Sequence, residues 1–222
     1  MVSVSRSAAA FFRVEGPLVQ RPAAVAAAWL AANSQEMSQR IARLGAVALA
    51  APLSFGRDPT TATRMAWMGL RGMSGDRLEI LGEEYFETHL KDHLRPVGRD
   101  LLARARREKL DVVLVSDHLD CIIRPLATYL NVSMVVANRM ELRDHKATGR
   151  LQDPVVGRLG GAWLREFANE HNIDLQRSCA YGARDTDVPL LSSVGLPCAV
   201  HPDRGLRAAA RDLDWPVVEA TG

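Results

Sequence analysis

The fold is decided by one stretch near the start, Ala8-Ala9-Ala10-Phe11-Phe12-Arg13-Val14-Glu15-Gly16-Pro17-Leu18. An apolar, aromatic run stops at Arg13, admits Val14, and ends in Glu15-Gly16-Pro17. Such a run, bounded by Gly-Pro, predicts a buried strand over residues 8–14 that opens into a tight loop. In an open α/β sheet, ligands bind in the crevice beyond the C-terminal ends of the strands. The charges at 13 and 15 therefore fall where a site is expected.

Beyond this strand the chain changes character. Pro22 opens an Ala-rich segment, in a position where a missing donor costs nothing in the first turn of a helix. Residues 22–95 hold almost nothing strand-like. Apolar spacing of three and four predicts helices over 33–50, 60–70 and 77–94, with breaks at 52–59 and 72–75. From Pro96 the pattern alternates. A helix to 107 precedes the near-continuous apolar run 111–116, which reads as a strand buried on both faces. A helix over 120–130, a strand over 133–137 and a hairpin over 140–151 follow. Next come a helix over 161–170, a strand over 178–181, a helix over 187–194 and a strand over 198–201. The last elements are a helix over 204–212 and an edge strand over 216–218. This alternation predicts an α/β fold, a doubly wound Rossmann-like parallel sheet with an inserted all-helical segment. The expected division is a core of residues 1–20 and 96–222 and an all-helical insert of residues 21–95.

Composition narrows the function classes. The chain has 222 residues, 47% hydrophobic and 24% charged, with a net charge of +2. These are ordinary values for a soluble globular chain, and the charge is too small to argue for nucleic acid. No apolar run is long enough to span a bilayer, and the N-terminus lacks a signal-peptide pattern, so a cytoplasmic location is expected. The cysteines Cys121, Cys179 and Cys198 are odd in number and widely spaced, and read as small buried hydrophobes. The histidines show no helix-spaced pair for zinc. The segment 157–161 lacks the Gly-Lys-Ser/Thr ending of a P-loop.

The first stretch resembles the first motif of the haloacid dehalogenase superfamily, in its phosphoserine-phosphatase-like branch. There the strand ends Asp-x-Asp-Gly-Thr-Leu. The first Asp is the nucleophile that accepts the phosphoryl group, and the second is the general acid/base. Here Arg13 and Glu15 stand in those places, and Pro17 replaces the Thr. The second motif ends a strand in Ser or Thr, and Val113-Leu114-Val115-Ser116 matches it. The third supplies a Lys that offsets phosphate charge. By the family's spacing that place falls at Gly160, and the nearest lysine, Lys146, sits in the hairpin. The fourth motif, Gly-Asp-Ser-x-x-Asp, reads Gly182-Ala183-Arg184-Asp185-Thr186-Asp187, so a metal-ligand Asp has become Ala183 while Asp187 remains. The match continues through Pro189-Leu190-Leu191, Val194-Gly195-Leu196-Pro197 and His201-Pro202-Asp203, and the resemblance covers nearly the whole chain. The all-helical insert of residues 21–95 stands in the place where the family carries its helical cap.

The resemblance implies the fold and, with these replacements, argues against the aspartyl-phosphate mechanism. Phosphoryl transfer needs a nucleophile, a cation for the phosphate oxygens and in-line positioning. Magnesium needs hard oxygen ligands, and an arginine at 13 is permanently charged and cannot attack phosphorus. The catalytic remnants are Glu15, Ser116 and Asp187. The expected ligand-binding set is Arg13, Glu15, Ser116, Arg184 and Asp187. Two uses of that set stay open. In one, Asp187 and Glu15 pair with Arg13 or Arg184, and the pocket is plugged by its own ions. In the other, both arginines grip an external phosphate or carboxylate without metal. Ser116, Asp117 and His118 are consecutive and cannot form a Ser-His-Asp triad. His118 is the histidine placed nearest the crevice.

Read this way, the chain is a phosphatase-like protein that has lost activity and acts by binding an anionic ligand or a protein partner. The alternative is an active phosphomonoester hydrolase with non-standard catalytic residues. No cofactor is expected in the first case, and magnesium in the second. The segment 65–73, with Trp67 and Met68, is either buried cap packing or a homo-oligomer surface.

Overall fold

The computed structural model describes residues 6–33, 45, 59–152, 154–155 and 160–219. Most of the helix expected over 33–50 lies outside the described residues.

Strand β1 (Ala9–Arg13) occupies the middle of the molecule because every residue in it can be buried. Its neighbours are β2 (Asp111–Leu119) on one side and β5 (Cys179–Gly182) on the other, both parallel to it. The sheet extends through β3 (Met134–Arg143) to β4 (Lys146–Gln152), and through β6 (Leu196–Val200) to β7 (Val217–Val218). The order is β4-β3-β2-β1-β5-β6-β7, with only β4 antiparallel. Successive side chains of β1 enter opposite core layers. Phe12 stacks on Tyr181 with ring centroids 4.5 Å apart, while Phe11 meets the edge of Phe167 at 6.2 Å.

Helices α1 (Ala23–Ala32), α2 (Pro59–Met68) and α3 (Gly75–Tyr85) precede α4 (Pro96–Arg107). Ser74 caps α3 by accepting from Arg77 N–H. Directly after α3, Phe86–Leu90 form a π-helical turn and Lys91–His93 a 3₁₀ turn. Among the described residues between 21 and 95 the regular elements are helical. The extended contacts there are isolated bridges, Ser74 with Lys146 and Leu94 with Val19. Trp67 is fully buried and Met68 is 57% exposed, so packing claims the tryptophan. The remaining helices are α5 (Asp120–Tyr129), α6 (Ala162–Glu170), the short α7 (Val188–Leu191) and α8 (Arg204–Asp212). Asp203 caps α8 through Leu206 N–H at 2.8 Å. No helix among the described residues is long and apolar enough to cross a membrane.

The differences from the sequence expectation have physical causes. The strand expected over 133–137 and the first arm of the hairpin expected over 140–151 are one element, β3. The strand pairs with β2 through Met134–Asn138 and with β4 through Arg139–Arg143, so its two halves serve different neighbours without a break. The hairpin turns at Asp144 and His145, both with positive φ, of 49° and 60°. The helix expected over 187–194 is a 3₁₀ turn (Asp185–Asp187) followed by α7.

Candidate functional site

The site lies at the C-terminal ends of β1, β2 and β5. Three backbone features build it. Gly16 adopts φ +107°, and a Cβ there would fall 2.1 Å from the Ala183 Cβ, so the loop after β1 closes against the loop after β5 only as glycine. Gly98 allows α4 to pack on Pro17, and Arg95 donates to the Gly16 carbonyl at 2.9 Å. In β2, the pairing with β3 jumps from Ser116↔Ala137 to Leu119↔Asn138. The extra residues turn Asp117 and His118 out of the regular pleat. Asn138 secures this bulge: its amide donates to the Asp117 carbonyl at 2.6 Å and its Oδ1 accepts from Val155 N–H at 2.8 Å.

Arg13 ends β1 with its guanidinium surrounded by carboxylates. Nε lies 2.8 Å from Asp187 Oδ1, and one terminal nitrogen lies 2.6 Å from Asp117 Oδ2 and 3.4 Å from Glu15 Oε2. Glu15 Oε1 accepts from Ser116 Oγ at 2.5 Å, Asp117 N–H at 2.9 Å and His118 N–H at 3.2 Å, and lies 2.6 Å from His118 Nδ1. Asp187 Oδ2 accepts from the N–H groups of Ala183 and Arg184 at 2.9 and 3.0 Å. Arg13, Glu15, Ser116, His118 and Asp187 are each at most 1% exposed, and Asp117 is 6% exposed. This is a buried cluster, with little surface left open to solvent.

Burial alone would lower the proton affinity of Arg13, but the charges of Asp117, Asp187 and Glu15 outweigh it and hold the guanidinium firmly protonated. Burial pushes Glu15 up, yet Arg13 and the hydrogen bonds from His118 and Ser116 outweigh it and hold its carboxyl well below the usual range. Asp117 goes the other way. Burial, with the like charges of Glu15 and Asp187, pushes it up against the pull of Arg13. Of Glu15 and Asp117, Asp117 is therefore the one that gains a proton more readily.

The expected residues are only partly brought together. Arg13, Glu15, Ser116 and Asp187 converge. Arg184 contributes its backbone N–H to Asp187, and its side chain makes no ion pair with a carboxylate among the described residues. Gly160, at the place of the family lysine, packs so closely on Pro189 that a Cβ would lie 2.6 Å from the Pro189 carbonyl oxygen. Asp117 and His118 belong to the cluster, and sequence reasoning left Asp117 out. The available signal was three consecutive polar residues ending an apolar strand, which is where a bulge can turn neighbours toward one point. His118 also faces the end of α3, with its ring centroid 6.3 Å from that of Tyr85.

A family profile described as haloacid dehalogenase-like hydrolase matches residues 18–192. The chain belongs to that family. Among curated relatives, "Inhibition of morphological differentiation protein" of Streptomyces azureus is 39% identical over 110 residues, 49% of this chain and 40% of that protein. "Phosphoserine phosphatase SerB1" of Mycobacterium tuberculosis is 28% identical over 220 residues, 96% of this chain and 71% of that protein. The chain spans 40–42% of the length of the first curated relatives it matches. A crystal structure of a Bordetella pertussis protein of unknown function superposes with a TM-score of 0.80 at 22% identity, covering 96% of this chain and 99% of that one. The likeness to this structure is one of fold. Together these findings place the chain in the phosphoserine-phosphatase-like branch of the haloacid dehalogenase family.

Magnesium, which the family resemblance implies, does not fit this set of residues. Its ligands would be carboxylates, and here Arg13 already holds Asp187, Asp117 and Glu15 within 3.4 Å while Ala183 offers no side-chain oxygen. Among the described residues no group of three His, Cys, Asp or Glu is arranged to hold a metal ion. The trio Ser116, Glu15 and His118 is not a nucleophilic triad either. Glu15 takes hydrogen bonds from both partners, so the imidazole does not stand between hydroxyl and carboxylate.

Proposed function

We propose that this family member no longer transfers phosphoryl groups and acts by binding a protein partner, its former catalytic crevice serving as a buried ion-pair core. The observation that carries the reading is Arg13 at the nucleophile position, 1% exposed and surrounded by three carboxylates. Arginine cannot attack phosphorus, and its charge occupies the place of a metal. An external phosphate or carboxylate on Arg13 is disfavoured for the same reason, because the internal carboxylates already claim the guanidinium. The alternative, hydrolysis by non-standard residues, would need Glu15 as a base. Held below the usual carboxylate range, Glu15 is a weak base at neutral pH.

The test is hydrolysis of p-nitrophenyl phosphate with magnesium. The expected rate is that of buffer alone. Turnover that disappears in Ser116→Ala would overturn the reading in favour of an active hydrolase.

A further inference from the structure

A concavity of about 310 Å³ lies between the β3–β4 hairpin and the turn that follows α2, lined by Arg71, Glu141, Arg143, Lys146, Thr148 and Arg150. None of these residues belongs to the buried cluster. Arg143 and Lys146 are direct cross-strand partners, and like charges placed so oppose each other. Arg71 joins them from a segment far away in sequence. Gly72 N–H donates to the Ala147 carbonyl at 2.8 Å, and Ala147 N–H donates to the Met73 carbonyl at 2.7 Å. Gly149, with φ +82°, lets the strand run close under Met68 and Arg71. The four cations are thus held together by backbone pairing, and all four are exposed.

One carboxylate lines the concavity among the described residues, and it is already engaged. Glu141 accepts from Thr148 Oγ1 at 2.8 Å and pairs with Arg143 at 3.2 Å. The hydrogen bond from Thr148, then the nearby arginines, hold its carboxyl below the usual range, so it stays charged at neutral pH. The surface is cationic in excess, with a fixed negative charge inside it. That arrangement repels a continuous phosphate backbone at Glu141. It suits spaced carboxylates, which an extended peptide presents on one side about 7 Å apart.

We propose that the hairpin face formed by Arg71, Arg143, Lys146 and Arg150 docks an acidic peptide segment of a partner protein. This rests on the proposed binding function and names the surface and the partner chemistry it would use. Fluorescence anisotropy on the full chain tests it, with a labelled Glu-rich peptide, its Gln counterpart and a labelled single-stranded oligonucleotide. The expected result is binding of the Glu peptide only, weakened at least tenfold by Arg143→Glu with Lys146→Glu and by raised salt. The control is Arg177→Glu with Arg211→Glu, an exposed pair elsewhere on the surface, which leaves binding unchanged. Equal loss in both double variants, tighter binding of the oligonucleotide, or no binding of the Glu peptide each overturns the proposal. Phosphatase turnover measured on the same preparations reports on the functional reading separately: an inactive protein that ignores the peptide overturns the docking surface alone.

Discussion

Two groups of charges in this molecule use the same residue types in opposite ways. At the ends of β1, β2 and β5, one arginine is enclosed by three carboxylates and nearly removed from water. On the β3–β4 hairpin, among the described residues, four exposed cations surround one half-buried carboxylate. In the first, each charge depends on its neighbours, because an unpaired ion in a low-dielectric interior is costly. In the second, water screens the repulsion, so the imbalance is tolerated and remains available to a partner. Burial, more than residue identity, decides whether a charge holds the fold or faces outward.

The largest test of that contrast is Arg13→Met. It leaves three buried carboxylates around an apolar side chain, and unfolding in urea is expected to show a loss of about 3–5 kcal/mol. A loss below about 1 kcal/mol would show that the cluster is not held by its cation. Glu15→Gln is expected to cost less, about 1–3 kcal/mol, since Ser116, Asp117 and His118 keep an acceptor but lose its charge.

The third test is the pH dependence of stability. Glu15 is held low, so its contribution is present above the ordinary glutamate value of about 4.3 and fades as pH falls below it. Asp117 is pushed up, so its contribution is full below the ordinary aspartate value of about 3.9 and is lost as pH rises through its higher native value. The two slopes oppose each other. Asp117→Asn removes the second, and its unfolding free energy in urea at neutral pH is expected to equal or exceed that of the unaltered protein, by no more than about 1 kcal/mol. A clear destabilisation at neutral pH would mean that the Asp117 charge is needed beside Arg13.

The smallest effect is expected on the hairpin. Arg143→Glu with Lys146→Glu should change stability by no more than about 0.5 kcal/mol, measured by thermal melting, because both side chains end in solvent. A larger loss would make the hairpin charges structural and bring the two regions closer than the comparison claims.

The sequence by itself determined the sheet. A short uninterrupted apolar run such as Ala9–Phe12, closed by Gly16-Pro17, reads as a strand buried on both faces, and Val113–Val115 carries the same message. It also showed the loss of carboxylates at 13 and 183, because the strand-end motifs are local and their order is fixed along the chain. The tertiary structure decided what the replacements do. Whether Arg13 meets Asp187, an external anion or Arg184 depends on side chains separated by more than a hundred residues, and only the packing of β1 between β2 and β5 brings Asp187 to its Nε. Asp117 was invisible for a related reason. A strand alternates its faces, so a regular reading turns residue 117 away from 116, and the bulge that reverses this is set by Asn138 on the neighbouring strand. The cationic hairpin face, too, needed Arg71 to be carried to β4 by backbone pairing across a long stretch of chain, a contact between distant segments that no local pattern encodes.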